Sequence, residues 1–259
     1  MLLNNIDPVL FKIWFFEIRY YGLAYFIGFL LAFFHLKKNQ KELNLSEEQV
    51  YDIILYLFIG IIFGARIFYF IFDEPYTLIH DPLEFFKIWH GGMDFFGSLF
   101  GVLISIYLYC NYTKINFYKL SDVLVFPATI ALILGRIANF INGEIVGTTS
   151  SLPWCVVFKG YIGCRHPYQI YAAISHLVLL LTLFKFKSLK NKDGFLLVIF
   201  LFGYGILRFL IDFFRDEPRF FYLTIWQHFS LSFILFSLIL YITKIRKVSL
   251  PIPKKNDVL

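Results

Sequence analysis

The stretch VLVFPATIALILGRIANFINGE, Val123 to Glu144, decides how the chain is read. Its first half is an almost unbroken apolar run, long enough with its flanks to cross a bilayer core of about 30 Å, which takes roughly 20 residues. Its second half brings Arg136, Asn139, Asn142 and Glu144 onto the end of that run. An arginine in hydrocarbon costs about 2.5 kcal/mol or more even on the lenient insertion scale, so it is kept where it faces a protein interior, finds a partner or does work. The string therefore predicts a membrane-spanning helix with a polar, protein-facing end.

The rest of the chain agrees. Apolar residues make up 59% of the 259, charged residues 16%, and phenylalanine alone occurs 34 times, a balance outside that of soluble domains. Seven apolar stretches read as helical spans: Arg19 to Leu36, Val50 to Phe72, Phe95 to Asn111, Leu120 to Ile141, Pro167 to Phe186, Gly194 to Phe214 and Trp226 to Ile242. Helices are required because lipid leaves no other way to pair the backbone of an open segment. The start carries no basic run and no small-residue cleavage pattern, so the first span reads as an uncleaved anchor. There is no internal repeat or low-complexity linker, which predicts one domain over 1–259 with a basic tail at 243–259.

The net charge of +6 is a topology signal rather than a nucleic-acid footprint. Fourteen of the 24 Lys and Arg fall in the connecting segments 37–41, 114–119, 185–192 and 244–255, against Lys12, Arg19, Lys87, Lys159, Arg165, Arg215 and Arg219 on the other side. Excess Lys and Arg mark the cytoplasmic side, which puts the C-terminus inside and, with seven spans, the N-terminus outside. The loop Gly143 to Pro167, between spans four and five, then faces outward and is too long for a simple connection.

Two polar stripes stand out inside the spans. Arg136, Asn139 and Gly143 share one helical face with Asn142 close by, and Glu144 and Gly147 follow just past the helix end. In GYGILRFLIDFFRDEP (Gly203 to Pro218), Tyr204, Arg208 and Asp212 recur four residues apart, extended by Arg215. An intrahelical Arg–Asp pair and interhelical asparagine hydrogen bonds would explain each stripe alone. Together, two arginine-centred stripes at the same end predict a shared cavity for a planar anion, because guanidinium donates in a fork that fits phosphate or carboxylate. In a membrane that anion is a lipid headgroup. Arg66 reads equally as a residue reaching for an interface or as part of the site. Glycines 60, 64, 97, 101, 203 and 205 read as close helix contacts. Spacing does not decide whether Cys155 and Cys164 pair; free thiols are the expectation.

GRIANFINGEIVG resembles the signature of the prolipoprotein diacylglyceryl transferases, and further blocks follow in the family's order. IDPVLFKIWFFEIRYYGLAY resembles the family's opening, GARIFYFIF its second span, HGGMDFFGSLFG (His90 to Gly101) its Gly-rich loop, LSD its entry to the next span, RHPYQIY its Arg-His-Pro motif and GYGILRFLIDFFRDEP its closing signature. The resemblance runs from about residue 6 to residue 218. It implies an enzyme of the cell membrane that moves the diacylglyceryl group of phosphatidylglycerol onto the lipobox cysteine of a prolipoprotein precursor, releasing glycerol phosphate and forming a thioether without metal or cofactor. On that reading Arg136 and Arg208 stabilise the departing phosphate, with Asn139, Asn142, Gly147 and Asp212 shaping the substrate pocket.

Departures from the family pattern bear on the proton. Phe96 stands where many members carry a histidine assigned as general base, which leaves Tyr21, Tyr204 and Glu144 as acceptors, His90 as a substitute from a different position, or the arginines alone lowering the thiol pKa. Ala138, Thr148, Asp212, Tyr168 and Ala172 also depart from the usual residues. Two other readings stay open at this point: a membrane protein that binds or transports an anionic lipid or solute without chemistry, against which the lack of paired repeats and broken helices counts, and a transferase that uses a different lipid donor.

Overall fold

A computed structural model describes residues 2–14, 16–88, 91–190 and 192–246. Seven of its helices are long and apolar enough to cross a membrane: α1 (Tyr20–Leu43), α2 (Glu47–Phe72), α4 (Phe95–Thr113), α5 (Phe117–Asn142), α6 (Tyr168–Lys187), α7 (Phe195–Ile211) and α8 (Ile225–Leu240). A short α3 (Pro75–His80) and a 3-10 turn (Pro82–Phe86) follow α2 outside the spans. The seven expected spans are all present. The largest difference is α1, which runs seven residues past the expected Leu36 as far as Leu43. The sequence KKNQKEL is polar but made of good helix formers, so the helix continues beyond the apolar part until Asn44 ends it in a left-handed conformation.

The helix starts are written in the sequence. Ser46 with Gln49 and Thr224 with Gln227 form reciprocal capping boxes at α2 and α8, and Asn116 and Asp94 cap α5 and α4. Asp122, buried in α5, accepts hydrogen bonds from the backbone N–H groups of Gly194 and Leu197 at 2.9 Å and so caps α7 from a distance. That bond fixes α7, and with it Arg208, against α5 and Arg136.

Three close helix approaches depend on small residues. A Cβ at Gly64 of α2 would lie 2.8 Å from the Gly101 Cα of α4, and one at Gly60 would lie 2.7 Å from the Gly101 carbonyl oxygen, so these two backbones touch. Gly28 of α1 meets Ala131 of α5, and Gly205 of α7 meets the Ser230 carbonyl of α8. Lacking a hydrophobic drive between helices in lipid, spans associate through contacts of this kind.

Outside the spans, the described residues form three two-stranded sheets, which an all-helical reading did not anticipate. β1 (Leu2–Asn4) runs parallel to β4 (Val156–Phe158), β2 (Val9–Ile13) pairs with β3 (Phe16–Arg19), and β5 (Arg219–Phe220) pairs with β6 (Leu223–Thr224). All six strands gather at the bundle end where α2, α5 and α7 finish, below called the polar end. The 143–167 loop is ordered there by backbone bonds from Gly147 to His166, Thr148 to Phe214 and between Val156 and Arg165. Cys155 and Cys164 form a disulfide across it, correcting the expectation of free thiols. The antiparallel bridge between their neighbours Val156 and Arg165 brings the two cysteines to a Cα–Cα distance of 5.5 Å, a proximity that nine residues of spacing do not reveal.

Candidate functional site

A cavity of about 520 Å³ opens between α1, α2, α4, α5 and α7. Its deep wall is apolar, built from Phe29, Leu57, Ile61, Leu103, Ile106, Leu124 and Phe200 among others. Its polar end carries Arg136, Asn139, Arg208, Arg215, Asp73, Asp94 and Glu217, with Tyr21, Tyr25 and Trp226 beside them. The two arginines expected to share a cavity do share one.

Arg136 is 6% exposed and its only hydrogen bond among the described residues runs from Nη1 to Asn139 Oδ1 at 3.3 Å. Asn139 in turn donates from Nδ2 to Glu144 Oε1 at 2.7 Å, and Asn142 reaches the same oxygen at 3.5 Å. The Glu144 carbonyl accepts from Gln169 of α6 at 2.6 Å, so this chain of bonds ties the end of α5 to α6 and orients Asn139 toward the arginine. Five donors sit on each guanidinium, and Arg136 uses one of them among the described residues.

Arg208 is 3% exposed and its Nε lies 3.2 Å from Asp212 Oδ1, while its Nη1 makes no hydrogen bond among the described residues. Asp212 is itself held by the Tyr168 hydroxyl at 2.5 Å and the Thr224 hydroxyl at 3.4 Å. The guanidinium lies over the rings of Phe96 and Tyr168 at 5.9 and 5.7 Å, which adds cation–π attraction without using its N–H groups. Arg215 pairs with Glu217 at 2.5 Å, and an antiparallel bridge between Gly147 and Arg215 holds its backbone at the cavity mouth. Burial, followed by the Arg208 charge, pulls the pKa of Arg215 down. Three cationic side chains thus converge on one end of an otherwise greasy hole.

The other expected site residues divide. Tyr21 lines the cavity, and its ring packs edge-on to Tyr25 at 5.2 Å. Glu144, Asn142, Tyr204, Asp212 and Gly147 stand outside the lining as supports for it. Gly147 is glycine for packing: a Cβ there would fall 2.6 Å from His166 and 2.7 Å from the Phe214 carbonyl. Tyr204 is fully buried behind Phe96, with its ring 5.6 Å from His176. His90 lies outside the described residues. Phe96 is 1% exposed in the lining and stacks on Trp226, Phe229 and Phe233 at 5.4 to 5.6 Å, so this position presents a ring with no lone pair to the cavity. His166 sits among Tyr171 and Phe214, its Nδ1 3.2 Å from the Tyr171 hydroxyl, and burial lowers its pKa; it organises the loop rather than the cavity.

Arg66 is resolved by its surroundings. Only 1% exposed, it donates to the backbone carbonyls of Glu84, Phe85, Gly91 and Gly92 and stands apart from the cavity lining. It therefore knits the segment after α2 to the loop before α4. Asp73, Asp94 and Glu217 were not singled out in the sequence, although Asp94 lies within the Gly-rich block; their convergence is visible only through space. Among the described residues no group of three His, Cys, Asp or Glu is placed to hold a metal ion.

A multi-pass membrane protein with an arginine-lined, apolar-walled cavity is the class that fold and site define. A family model described as prolipoprotein diacylglyceryl transferase matches residues 8–243, and the chain belongs to that family. It is 39% identical over 218 residues to the phosphatidylglycerol–prolipoprotein diacylglyceryl transferase of Ehrlichia ruminantium strain Gardel, covering 82% of this chain and 84% of that one. The enzymes of the same description from Geobacter sulfurreducens and Rhodospirillum rubrum are 38% and 35% identical, covering 83% and 96% of this chain and 85% and 96% of their own.

Proposed function

We propose that this protein transfers the diacylglyceryl group of phosphatidylglycerol to prolipoproteins, with the cavity as the place of reaction and Arg136 and Arg208 as its phosphate-holding pair. The acceptor is the thiol of the lipobox cysteine. Its sulfur attacks the glyceryl carbon that bears the phosphate, the C–O bond breaks, and glycerol phosphate departs with the electron pair, leaving a thioether. Negative charge grows on the departing phosphate as that bond breaks. Preorganised donors in a water-poor site stabilise such charge without reorganising, and removing one typically costs about 10²- to 10³-fold in rate.

Two almost fully buried guanidinium groups carry the assignment: they face one cavity with N–H groups that no described residue takes up. The apolar wall suits the acyl chains. Asn139 positions Arg136, Asn142 and Glu144 hold Asn139, and Asp212 with Tyr168 positions Arg208. Tyr21 and Arg215 line the same cavity beside that pair. The Lys and Arg asymmetry supports an orientation with the polar end outside the cytoplasmic membrane, where secreted precursors emerge, and the C-terminal tail 243–259 inside, on a single domain.

The test is reconstitution of the purified protein in phosphatidylglycerol liposomes with a lipobox peptide. A peptide heavier by one diacylglyceryl group, with glycerol phosphate released in step and both lost in Arg136→Ala, is the expected result. Lipid binding without a thioether product would contradict the reading and favour a binding protein or a different donor.

A further inference from the structure

The transfer needs a proton acceptor. A thiol with the ordinary pKa of about 8.5 is mostly protonated at neutral pH, and the thioether forms only once that proton has gone. Phe96 offers nothing to take it. Tyr204 and His176 are fully buried and stand outside the cavity lining, and the Glu144 carboxylate is engaged by Asn139 and Asn142.

Three carboxylates remain in the lining, and two have structural employment. Asp94 caps α4, accepting the Gly97 N–H at 2.7 Å, and Glu217 pairs with Arg215 at 2.5 Å. Asp73 is different. It ends α2 at the polar rim, its backbone N–H bonded to the Tyr69 carbonyl, while its side chain faces the cavity and makes no ion pair or hydrogen bond among the described residues. The charged groups acting on it are Asp94 at the start of α4, Glu217 and Arg215 in the segment after α7, and its neighbour Glu74.

We infer that Asp73 is the general base of the transfer, taking the thiol proton of the prolipoprotein cysteine at the rim of the cavity. This rests on the transferase reading above. The sulfur forms its bond to the glyceryl carbon as the C–O bond to phosphate breaks, with that electron pair remaining on phosphate. The thiol proton moves to the Asp73 carboxylate and passes from there to water or to the departing phosphate, so no other co-reactant is needed. Asp73 is exposed to solvent at the rim, and partial desolvation there, then the charges of Asp94 and Glu217, push its carboxyl up to about 6 against the opposing pull of Arg215. At pH 7 it is still ionised, and it is a stronger base than an ordinary carboxylate.

The experiment is the pH dependence of transfer in phosphatidylglycerol liposomes for the parent protein, Asp73→Asn and Asp73→Glu, with unfolding temperature and lipid retention measured alongside. The parent rate should rise with pH through about 6 and level off. Asp73→Asn should keep its fold and its lipid, lose about 10²-fold or more of the rate at pH 7, in the range that base catalysis supplies, and lose the limb near pH 6. Its residual rate should instead climb toward the ionisation of the thiol itself. Asp73→Glu should recover part of the rate with a displaced limb. Asp73→Asn within about threefold of the parent, or a slower variant whose limb near 6 is unmoved, overturns the inference. A parent that yields no thioether overturns the transferase reading and this one with it, whereas an active parent beside an equally active Asp73→Asn overturns this one alone.

Discussion

Arg66 and Arg136 are both nearly sealed from solvent, at 1% and 6% exposure, at the same end of the helix bundle, yet they are dressed in opposite ways. Arg66 gives its donors to four backbone carbonyls in the segments flanking it. Arg136 gives one to Asn139 and turns the others to a cavity. Arg208 lies between these cases, paired on one side with Asp212 and with no hydrogen bond at Nη1 among the described residues. A buried charge with its hydrogen bonds met by the backbone is part of the scaffold. One whose donors are left unmet is poorly solvated until something anionic arrives, which is the condition for binding phosphate.

The contrast breaks first at Arg66. Arg66→Leu strands four carbonyls and should destabilise the protein by about 4 kcal/mol or more, since each orphaned buried acceptor costs about 1–3 kcal/mol without full additivity. Low yield and a depressed unfolding temperature in detergent would show it. Parental stability in the Arg66→Leu variant would mean that those carbonyls find other partners. Arg136→Ala should do the reverse: unfolding within a few degrees of the parent, and transfer down by about 10²- to 10³-fold or more. Equal losses of stability in both variants would erase the distinction.

Asp212→Asn sharpens the intermediate case. Without its counterion, Arg208 becomes an uncompensated buried charge and loses its orientation, so the lipid-free protein should melt earlier and transfer should fall by up to about 10²-fold, the scale of a misplacement of about 1 Å. Added phosphatidylglycerol should restore part of the melting temperature, because its phosphate replaces the missing charge. The smallest effect is expected from Cys155→Ser with Cys164→Ser. Opening that short loop removes a constraint worth about 2–3 kcal/mol on loop-closure grounds, to be seen as faster amide exchange across 147–166, while transfer changes less than about tenfold.

Which of these features the sequence discloses follows from their range. The seven spans were readable because apolar length is a property of contiguous residues, and the pairing of Arg136 with Arg208 followed from four-residue spacing on two helices that end on one side. The role of Arg66 was not readable, since its four acceptors are carbonyls 18 to 26 residues away that carry no side-chain signature. The Cys155–Cys164 bond needed the strand pairing of the loop, and the strands themselves are two to five residues long, too short to register as a pattern. Nothing in the sequence singles out Asp73. It became a candidate only when α4 and the segment after α7 delivered Asp94, Glu217 and Arg215 beside it.

Guanidinium donors that no described residue takes up, those of Arg136 above all, are expected to hold a lipid phosphate. The most direct measurement is a competition in detergent between phosphatidylglycerol and a diacylglycerol of the same chains, for the parent protein and for Arg136→Gln, which keeps a polar side chain but lacks the charge. The parent should prefer the phosphate-bearing lipid by about tenfold or more, the scale of one charge-assisted hydrogen bond, and this preference should collapse in the variant while affinity for diacylglycerol is unchanged. An equal preference for phosphatidylglycerol in both proteins would contradict it.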